Sequence, residues 1–271
     1  MGKKVISNIF LGFKGIFYNQ NLNKYQKFIL YYDDFRFLFL LVLVYFFKKE
    51  IHSVKIESFD YTVYFGNYVT FYYIFNEIFC KEVYAPIKIN SYVDLGANIG
   101  LSILWYKFFN QNLFVMAFEP DKNNYRYLRK NVTVNRLKDI HTYEIALSSK
   151  KGIAKFYTII DDVQNLDSGL TLNQKLPYIS YMVKVDALSN YIHTMIDLIK
   201  IDIEGAEYDV FNDLFKTRKI RFIKNLIFEA HFFNTVQKER LKKIVYRLKK
   251  IGTVKQLENS KFTNVFSFYS R

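Results

Sequence analysis

Two glycines and one acidic residue stand close together at residues 93–100, which read Val-Asp-Leu-Gly-Ala-Asn-Ile-Gly. Gly96 has no Cβ, so the backbone there can turn sharply and approach a ligand. Gly100 would let a following helix pack close to the strand, and Asp94 could bind the positive amino group of an amino-acid moiety. A short apolar strand precedes this turn and a helical pattern follows it. The sequence therefore predicts a ligand-binding turn at the carboxyl end of a strand.

The glycine spacing and a second acidic residue indicate which ligand. The spacing is Gly-x-x-x-Gly, whereas dinucleotide sites use Gly-x-Gly-x-x-Gly, and Asp94 would repel a pyrophosphate. Glu119 follows Asp94 by 25 residues, ends the next predicted strand and precedes Pro120. A carboxylate there can accept hydrogen bonds from two ribose hydroxyls. These observations favour S-adenosylmethionine over NAD, with the candidate cofactor residues Asp94, Gly96, Ala97, Asn98, Gly100, Glu119 and Pro120.

Four ionisable residues follow two later predicted strands. Asp202 and Glu204 come after strand 196–201, and Glu229 and His231 come after strand 223–228. Methyl transfer is an in-line displacement, so the protein must align the acceptor and, for a hydroxyl, take its proton. Histidine titrates near neutral pH and suits that role. The sequence therefore predicts an acid/base cluster at these strand ends.

Each of these residues also has a purely structural interpretation. Asp202 could order its loop, His231 could make a local hydrogen bond, and Glu204 and Glu207 could charge the first turn of a helix beginning near Ala206. A divalent metal on Asp202, Glu204 and His231 is conceivable, because oxygen ligands suit magnesium. The spacing does not require a metal, and we expect none.

The elements that must position these residues alternate between strands and helices. We predict strands at 92–95, 113–118, 140–146, 196–201, 223–228, 254–257 and 262–269, and helices at 99–109, 121–135, 206–215 and 236–251. A hairpin-like insertion pairs 152–160 with 182–185 across a polar loop, Asp167-Ser168-Gly169. Such alternation predicts an α/β fold with a mostly parallel, doubly wound sheet.

The first part of the chain reads differently. Residues 1–50 are helical and aromatic, 54–71 show the alternation of a β-hairpin with a turn at Gly66-Asn67, and 72–79 form a helix. We therefore divide the chain into an N-terminal helical and hairpin extension, 1–85, and a catalytic domain, 86–271. The apolar run 37–47 has 11 residues, and a membrane-spanning helix needs about 20. It favours a buried helix, with shallow membrane contact as the alternative.

The composition of the chain limits which other kinds of site and partner it can have. The chain has 271 residues, 51% of them hydrophobic, and its single cysteine, Cys80, excludes an internal disulfide and a cysteine-cluster metal site. No clean signal peptide is visible, so we expect a cytoplasmic protein, with peripheral membrane contact left open. Net charge is +14, and residues 214–271 hold 15 Lys and Arg against 3 Glu. That segment is either a solvated face or a surface for an anionic partner.

Six runs in the chain resemble the FkbM-type methyltransferases. They are 93–100, Phe118-Glu119-Pro120, 144–148, 185–188, 199–207 and 228–231, within roughly residues 60–235. The resemblance implies a Rossmann-like, seven-stranded methyltransferase fold that uses S-adenosylmethionine. It also implies methylation of a hydroxyl oxygen, often on a sugar or a glycosylated metabolite. Within the matching run 144–148, we expect Ala146 and Leu147 to contact the cofactor. The first 50 residues and the basic C-terminal helix lie outside the diagnostic runs.

Three functions remain open. The first is O-methylation of a small-molecule or glycan acceptor, including anionic or lipid-linked ones. The second is ribose 2′-O-methylation of RNA, suggested by the basic C-terminal segment, although no RNA-binding appendage is recognisable. The third is a non-catalytic binding scaffold. The joint presence of Asp94, Gly96, Glu119 and Asp202 argues against the scaffold.

Overall fold

The N-terminal elements form a helix–hairpin–helix unit. The computed structural model describes residues 14, 16–17, 22–81, 88–159, 169–170, 178–232, 234–259 and 263–270. Helix α1 spans Lys24–Phe47, strands β1 and β2 span Ser53–Ile56 and Tyr61–Tyr64, and helix α2 spans Tyr68–Phe75. One π-helical turn, Asn76–Cys80, extends α2. A helix and a hairpin in this region are confirmed, whereas residues 1–13, 15 and 18–21 of the predicted helical segment lie outside the described residues.

The remaining elements build the α/β body. In chain order they are β3 Ser91–Leu95, α3 Leu101–Phe109, β4 Phe114–Phe118, α4 Lys122–Val134, β5 Ile140–Tyr143, β6 Ala146–Ser148, β7 Gly152–Ile159, β8 Tyr178–Ala187, β9 Ile196–Ile201, α5 Glu207–Lys216, β10 Ile223–His231, α6 Thr235–Lys249, β11 Gly252–Asn259 and β12 Thr263–Ser270. Short 3₁₀ turns lie at Leu188–Asn190 and Lys219–Phe222. Helices therefore follow strands as the sequence pattern predicts.

Seven strands form the central sheet, in the order β11-β12-β10-β9-β3-β4-β5. The pairs among β10, β9, β3, β4 and β5 are parallel, and β12 lies antiparallel between β10 and β11. The predicted seven-stranded, mostly parallel sheet is confirmed. Strand order reverses between β3 and β9, because the chain builds outward from β3 towards β5 and later from β9 towards β11. Ligand sites of open α/β sheets lie at such a reversal.

Side-chain alternation on the strands divides the core into two hydrophobic clusters. Tyr92 and Val115 belong to the cluster that contains α3 and the N-terminal elements. Val93 and Met116, their neighbours in sequence, belong to the cluster that contains α5 and α6. Successive residues of a strand point to opposite faces, so both faces of the sheet are covered. The doubly wound arrangement is confirmed.

Two buried aspartates fasten α1 to the rest of the N-terminal unit. Asp33 accepts hydrogen bonds from the Ser58 backbone N–H and hydroxyl, at 2.8 and 2.7 Å, and from the Glu57 N–H at 3.1 Å. Asp34 accepts one from the Tyr72 hydroxyl at 3.1 Å. Because buried carboxylates need such partners, these bonds fix how α1 lies on the hairpin and on α2.

Several predicted boundaries are wrong. Strand β10 continues to His231 instead of ending at 228, so Glu229 and His231 lie within the strand, and α2 begins at Tyr68 instead of at 72. The hairpin turn lies at 57–60, not at Gly66-Asn67. Asn67 instead caps α2, accepting a hydrogen bond from the Thr70 N–H at 3.0 Å, a role that asparagine favours. The predicted strand 140–146 stops at Tyr143, opposite the last residue of β4. The chain then leaves the sheet edge, and Ala146 begins a strand that pairs with β8 in a second sheet.

The insertion is a second, three-stranded sheet in the order β6-β8-β7. Strands β7 and β8 pair antiparallel, which confirms the predicted hairpin and lengthens its second strand. Asp167 and Ser168 of the predicted polar loop lie outside the described residues, whereas Gly169 pairs with Tyr157. Among the described helices, none has the combined length and hydropathy that crossing a membrane requires.

Candidate active site

The glycine turn joins the ends of three strands. The N–H groups of Gly96 and Ala97 both donate to the Phe118 carbonyl of β4 at 3.0 Å, and the Asp202 N–H after β9 donates to the Leu95 carbonyl at 3.1 Å. Gly96 has a φ of 79°, and a Cβ there would lie 1.9 Å from the Asp202 carbonyl oxygen. Gly96 is therefore required for the close contact of β3 and β9, in addition to any ligand it approaches.

The second glycine has a different neighbour from the one expected. Gly100 has a φ of 89°, and its Cβ would lie 2.8 Å from Leu128 Cδ1 of α4. Gly100 therefore lets α4 approach the turn. We expected Gly100 to be needed for packing α3 against its strand, but the close neighbour is α4. Asn98 lies between the glycines at a φ of 49°, and its side chain accepts a hydrogen bond from the Ile99 N–H at 2.9 Å. Gly100 and Asn98 together hold the turn in one conformation.

Asp94 is completely buried and already bonded within the protein. Its carboxylate accepts hydrogen bonds from the Ser102 hydroxyl and from Lys200 Nζ, the latter at 3.2 Å. Lys200 also donates to the Gly96 carbonyl at 3.1 Å and lies 3.5 Å from Asp202 Oδ2. Burial lowers the pKa of Lys200, but attraction by Asp94 and then Asp202 outweighs it, so the pKa is raised. The expected contact between Asp94 and an amino group stays a prediction.

Glu119 connects the glycine turn to the start of α4. One carboxylate oxygen accepts the Asn98 N–H at 2.7 Å and the other accepts the Asp121 N–H at 2.9 Å. Burial raises the pKa of Glu119 to about 8. Each oxygen keeps a further lone pair that could accept a ribose hydroxyl. Pro120 is half-buried beside it, and Ala146 and Leu147 are buried in β6. Their predicted cofactor contacts stay predictions.

His231 stands at the centre of a group of carboxylates. Its Nδ1 lies 2.8 Å from Glu207 Oε1, and its Nε2 lies 3.3 Å from Glu204 Oε2 and 3.6 Å from Glu229 Oε1. Glu207 is buried and also accepts the Gly205 N–H at 3.0 Å. Burial lowers the pKa of His231, but Glu204 and Glu207 outweigh that effect, so its pKa is well above the ordinary value.

The other acidic residues of this group remain accessible. The side chains of Asp202, Glu204 and Glu229 are 29%, 22% and 31% exposed. Burial and then repulsion by Asp202 raise the pKa of Glu229 to about 7. The group is therefore open to solvent and contains two residues, Glu229 and His231, whose pKa values are displaced upward. Ionisable groups perturbed in this way mark a candidate for acid/base chemistry.

The donor atoms for a metal also converge, but not in the combination expected. One ligand atom each from Asp202, Glu229 and His231 lies within 4.8 Å of the others, whereas the sequence suggested Glu204 in place of Glu229. Two carboxylates and an imidazole suit a divalent cation. That the site works without a metal stays a prediction.

The structure brings the two predicted groups of residues together at one edge of the sheet. Lys200 links them, because it contacts Asp94 beside the glycine turn and Asp202 in the acid/base group. Sequence reasoning missed Lys200, although a lysine inside the apolar strand Ile-Asp-Leu-Ile-Lys-Ile is a visible signal. It also missed Gly169, where a Cβ would lie 2.9 Å from the Glu204 carbonyl oxygen. No local pattern could have revealed that long-range contact.

Sequence reasoning also misjudged Glu207 and missed Glu77. We interpreted Glu207 as a charge on the first turn of a helix; it is the first residue of α5, but its carboxylate also holds His231. Glu77, in the π-helical turn after α2, is close enough to raise the pKa of Glu229. The N-terminal unit therefore contributes a charge to the site.

Comparison with known proteins identifies the family. The Methyltransferase FkbM domain matches residues 94–255. Methyltransferase 1 of the fungus Beauveria bassiana is 27% identical over 165 residues, covering 52% of this chain and 66% of the fungal protein. The structure of Methyltransferase FkbM from Methylobacillus flagellatus KT is 16% identical, with a TM-score of 0.49 over 99% of this chain and 60% of that one. The N-terminal domain of human METTL16, in complex with SAH, is 12% identical, with a TM-score of 0.40 over 92% of this chain and 84% of that one.

The matching domain covers more than half of the chain and includes both halves of the site, from the glycine turn to His231. The chain therefore belongs to the FkbM methyltransferase family.

Proposed function

We propose that this methyltransferase uses S-adenosylmethionine to methylate a hydroxyl of a sugar, a glycan or a glycosylated metabolite, including lipid-linked ones. The observation that carries the proposal is the contact of Glu207 with His231 Nδ1 at 2.8 Å, which leaves His231 Nε2 facing Glu204 and Glu229 at the strand ends. A histidine oriented by a buried carboxylate on one nitrogen can accept a proton on the other.

The residues at the glycine turn fit this cofactor. Gly96 and Gly100 carry no Cβ into the turn, and Glu119 offers carboxylate lone pairs at the end of β4, where a ribose would lie. The carboxylates of Asp202, Glu204 and Glu229 create a negative field that favours a sulfonium cation. When bound, S-adenosylmethionine would supply a methyl group on a positively charged sulfur, which needs no further activation.

The chain's own residues then have distinct tasks. Asp202, at the end of β9, orients the acceptor hydroxyl, and His231 Nε2 takes its proton as the new bond to oxygen forms. Glu207 holds the imidazole ring and stabilises the imidazolium that results. His231 must be neutral before the reaction, although the surrounding carboxylates favour its charged form. A cation bound nearby opposes that effect and favours the neutral ring.

The proposal predicts that binding and chemistry can be separated by mutation. His231→Ala and Asp202→Asn should lower turnover by about 10² to 10⁴, because each removes a group that acts on the acceptor. Affinity for S-adenosylhomocysteine should stay within about twofold. The matched control is His193→Ala, which should keep full turnover. His193 is exposed and precedes β9, at the opposite end of that strand from Asp202. Calorimetry measures affinity, and labelled methyl transfer to glycans, lipid-linked sugars and RNA measures turnover.

Other outcomes would assign other functions. Methyl transfer to RNA alone would support ribose methylation, which the exposed lysines Lys242, Lys243 and Lys249 of α6 and Lys250 just after it could assist. Cofactor binding without transfer to any acceptor would support the scaffold. Near-wild-type turnover of both variants on a verified acceptor would show that the base is Glu229, Glu204 or the acceptor itself.

A further inference from the structure

Helix α1 carries an uninterrupted apolar stripe on its outer side. The stripe residues, defined here as the aromatic stripe, are 41–71% exposed and follow one another at alternating intervals of three and four: Tyr25, Phe28, Tyr32, Phe35, Phe39, Val42 and Phe46. Residues so spaced share one face of a helix. At 1.5 Å per residue, the aromatic stripe is about 32 Å long.

The opposite side of α1 is already used by the fold. Leu30, Asp33, Asp34 and Phe37 are buried there, and the Phe37 ring lies 5.4 and 4.9 Å from the rings of Phe71 and Phe75. The aromatic stripe is therefore not a core-facing surface exposed by fraying of the helix. Contiguous apolar surfaces of this size on a folded protein mark interaction sites.

The charges around the aromatic stripe indicate what covers it. Residues 1–49 contain eight Lys and Arg and only two acids, Asp33 and Asp34, which are both buried. Lys24 precedes the stripe, and Lys48 and Lys49 follow it, all exposed. The first exposed carboxylate is Glu50, beyond the end of the helix. Phe and Tyr side chains with basic flanks suit the interface of an anionic membrane.

The same charges disfavour a second copy of the chain. Helices that pair along a stripe of this spacing usually carry opposite charges beside it. Here a parallel partner would bring Lys24 against Lys24, and an antiparallel partner would bring Lys24 against Lys48. We infer that the aromatic stripe of α1 docks the protein onto an anionic lipid surface, with α1 lying flat along it.

The test is co-sedimentation of the full chain with phosphatidylcholine vesicles, with and without about a third phosphatidylglycerol. We expect binding to the anionic vesicles that weakens at high salt, because surface charges are then screened. Phe28→Ser/Phe35→Ser/Phe39→Ser should weaken it at least about tenfold, because three apolar side chains no longer enter the interface. Lys24→Glu/Lys48→Glu/Lys49→Glu should also weaken it at least about tenfold. The matched control, Val236→Ser/Tyr246→Ser, alters two exposed apolar residues of α6 and should bind as the wild type does.

Three results would overturn the inference. They are absence of binding to anionic vesicles, equal binding to both vesicle types, and a wild-type dimer in sedimentation equilibrium that the triple serine variant converts to a monomer. The last result would assign the aromatic stripe to self-association. A wild-type far-ultraviolet circular dichroism spectrum and a cooperative melting transition confirm that each variant is folded. The vesicle assay involves no methyl transfer, so its outcome does not depend on the proposed acceptor.

Discussion

Glu119 has a structural task, and the proposed contact with a ribose would use the same carboxylate. Its two oxygens already hold the N–H groups of Asn98 and Asp121, so its removal would disturb both the glycine turn and the start of α4. Burial raises its pKa to about 8, from 4.5. The folded chain therefore retains a proton that the unfolded chain has lost between those two pH values. This group alone makes the free energy of unfolding fall as pH rises through that window.

The raised pKa predicts a pH-dependent cofactor affinity. Ribose hydroxyls that donate to Glu119 favour its charged form, so binding near neutral pH should release a proton and strengthen as pH rises towards 8. Glu119→Ala should weaken binding about ten- to hundredfold, since hydrogen bonds to a charged group contribute about 1.5–3 kcal/mol. Glu119→Gln should lose the pH dependence. Calorimetry in buffers of different ionisation enthalpy measures the proton release.

The matched control is Glu144→Ala, because Glu144 is exposed in the chain between β5 and β6. Its cofactor affinity should equal that of the wild type. Binding that is unchanged in Glu119→Ala would mean that the ribose has another partner.

Sequence predicted which ionisable residues meet at the site, but not how they pair. Asp202, Glu204, Glu229 and His231 meet because parallel strands end at one edge, a consequence of topology that the pattern carries. The bond from Glu207 to His231 joins a helix start to a strand end, 24 residues apart. It depends on the angle between α5 and β10, which hydrophobic periodicity does not encode.

At the scale of elements, the critical contact lies where the neighbouring parallel strands β3 and β9 end, at the reversal of strand order. Gly96 has a left-handed conformation there, and its missing Cβ leaves room for the Asp202 carbonyl. Because Asp202 begins the acid/base group, this contact sets the separation between that group and the glycine turn. Gly96 is thus a determinant of site geometry as well as of the turn.

Because of this contact, one methyl group added at Gly96 should strongly destabilise the protein. Gly96→Ala should lower the free energy of unfolding by at least about 2 kcal/mol, because the left-handed conformation alone costs about 1–2 kcal/mol and the Cβ would clash with the carbonyl. The melting temperature should fall by at least about 4 °C. Gly152→Ala is the control, since its Cβ would meet only Val185 Cγ2 at 3.9 Å. Equal stability of the two variants would contradict this account.

Elements with one strong local signal were predicted well, and those with competing signals were not. The strands of the sheet are short apolar runs between helical patterns, so β3, β4 and β9 lie where the sequence places them, and β10 begins at the predicted residue but continues to His231. Gly66-Asn67 carries a turn signal and a helix-capping signal at once, and tertiary packing of the N-terminal unit selects the cap. Likewise, Tyr143 and Ala146 lie in one predicted strand but in two sheets, because the pairing of β5 with β4 ends at Phe118 and Ala146 pairs with β8.

At the scale of the whole molecule, the site lies where the two hydrophobic clusters meet. Leu95 and Phe118 belong to the cluster of α5 and α6, whereas Ala97 and Ile99, two and four residues after Leu95, belong to the cluster of α3 and the N-terminal unit. A ligand held by the glycine turn therefore contacts segments anchored in both clusters. Its binding energy should stabilise both faces of the sheet together, not only the loop that touches it.

This arrangement makes thermal stability a direct test of cofactor choice. A ligand that binds only the folded state at 100 times its Kd stabilises it by about 2.7 kcal/mol. For a chain of this size that is a rise of about 5–10 °C in melting temperature. S-adenosylmethionine and S-adenosylhomocysteine should both produce it, and NAD at the same concentration should not, because buried Asp94 and the Gly-x-x-x-Gly turn disfavour a pyrophosphate. Glu119→Ala should reduce the shift at a fixed cofactor concentration. A shift with NAD but none with S-adenosylmethionine would refute the assignment of the glycine turn.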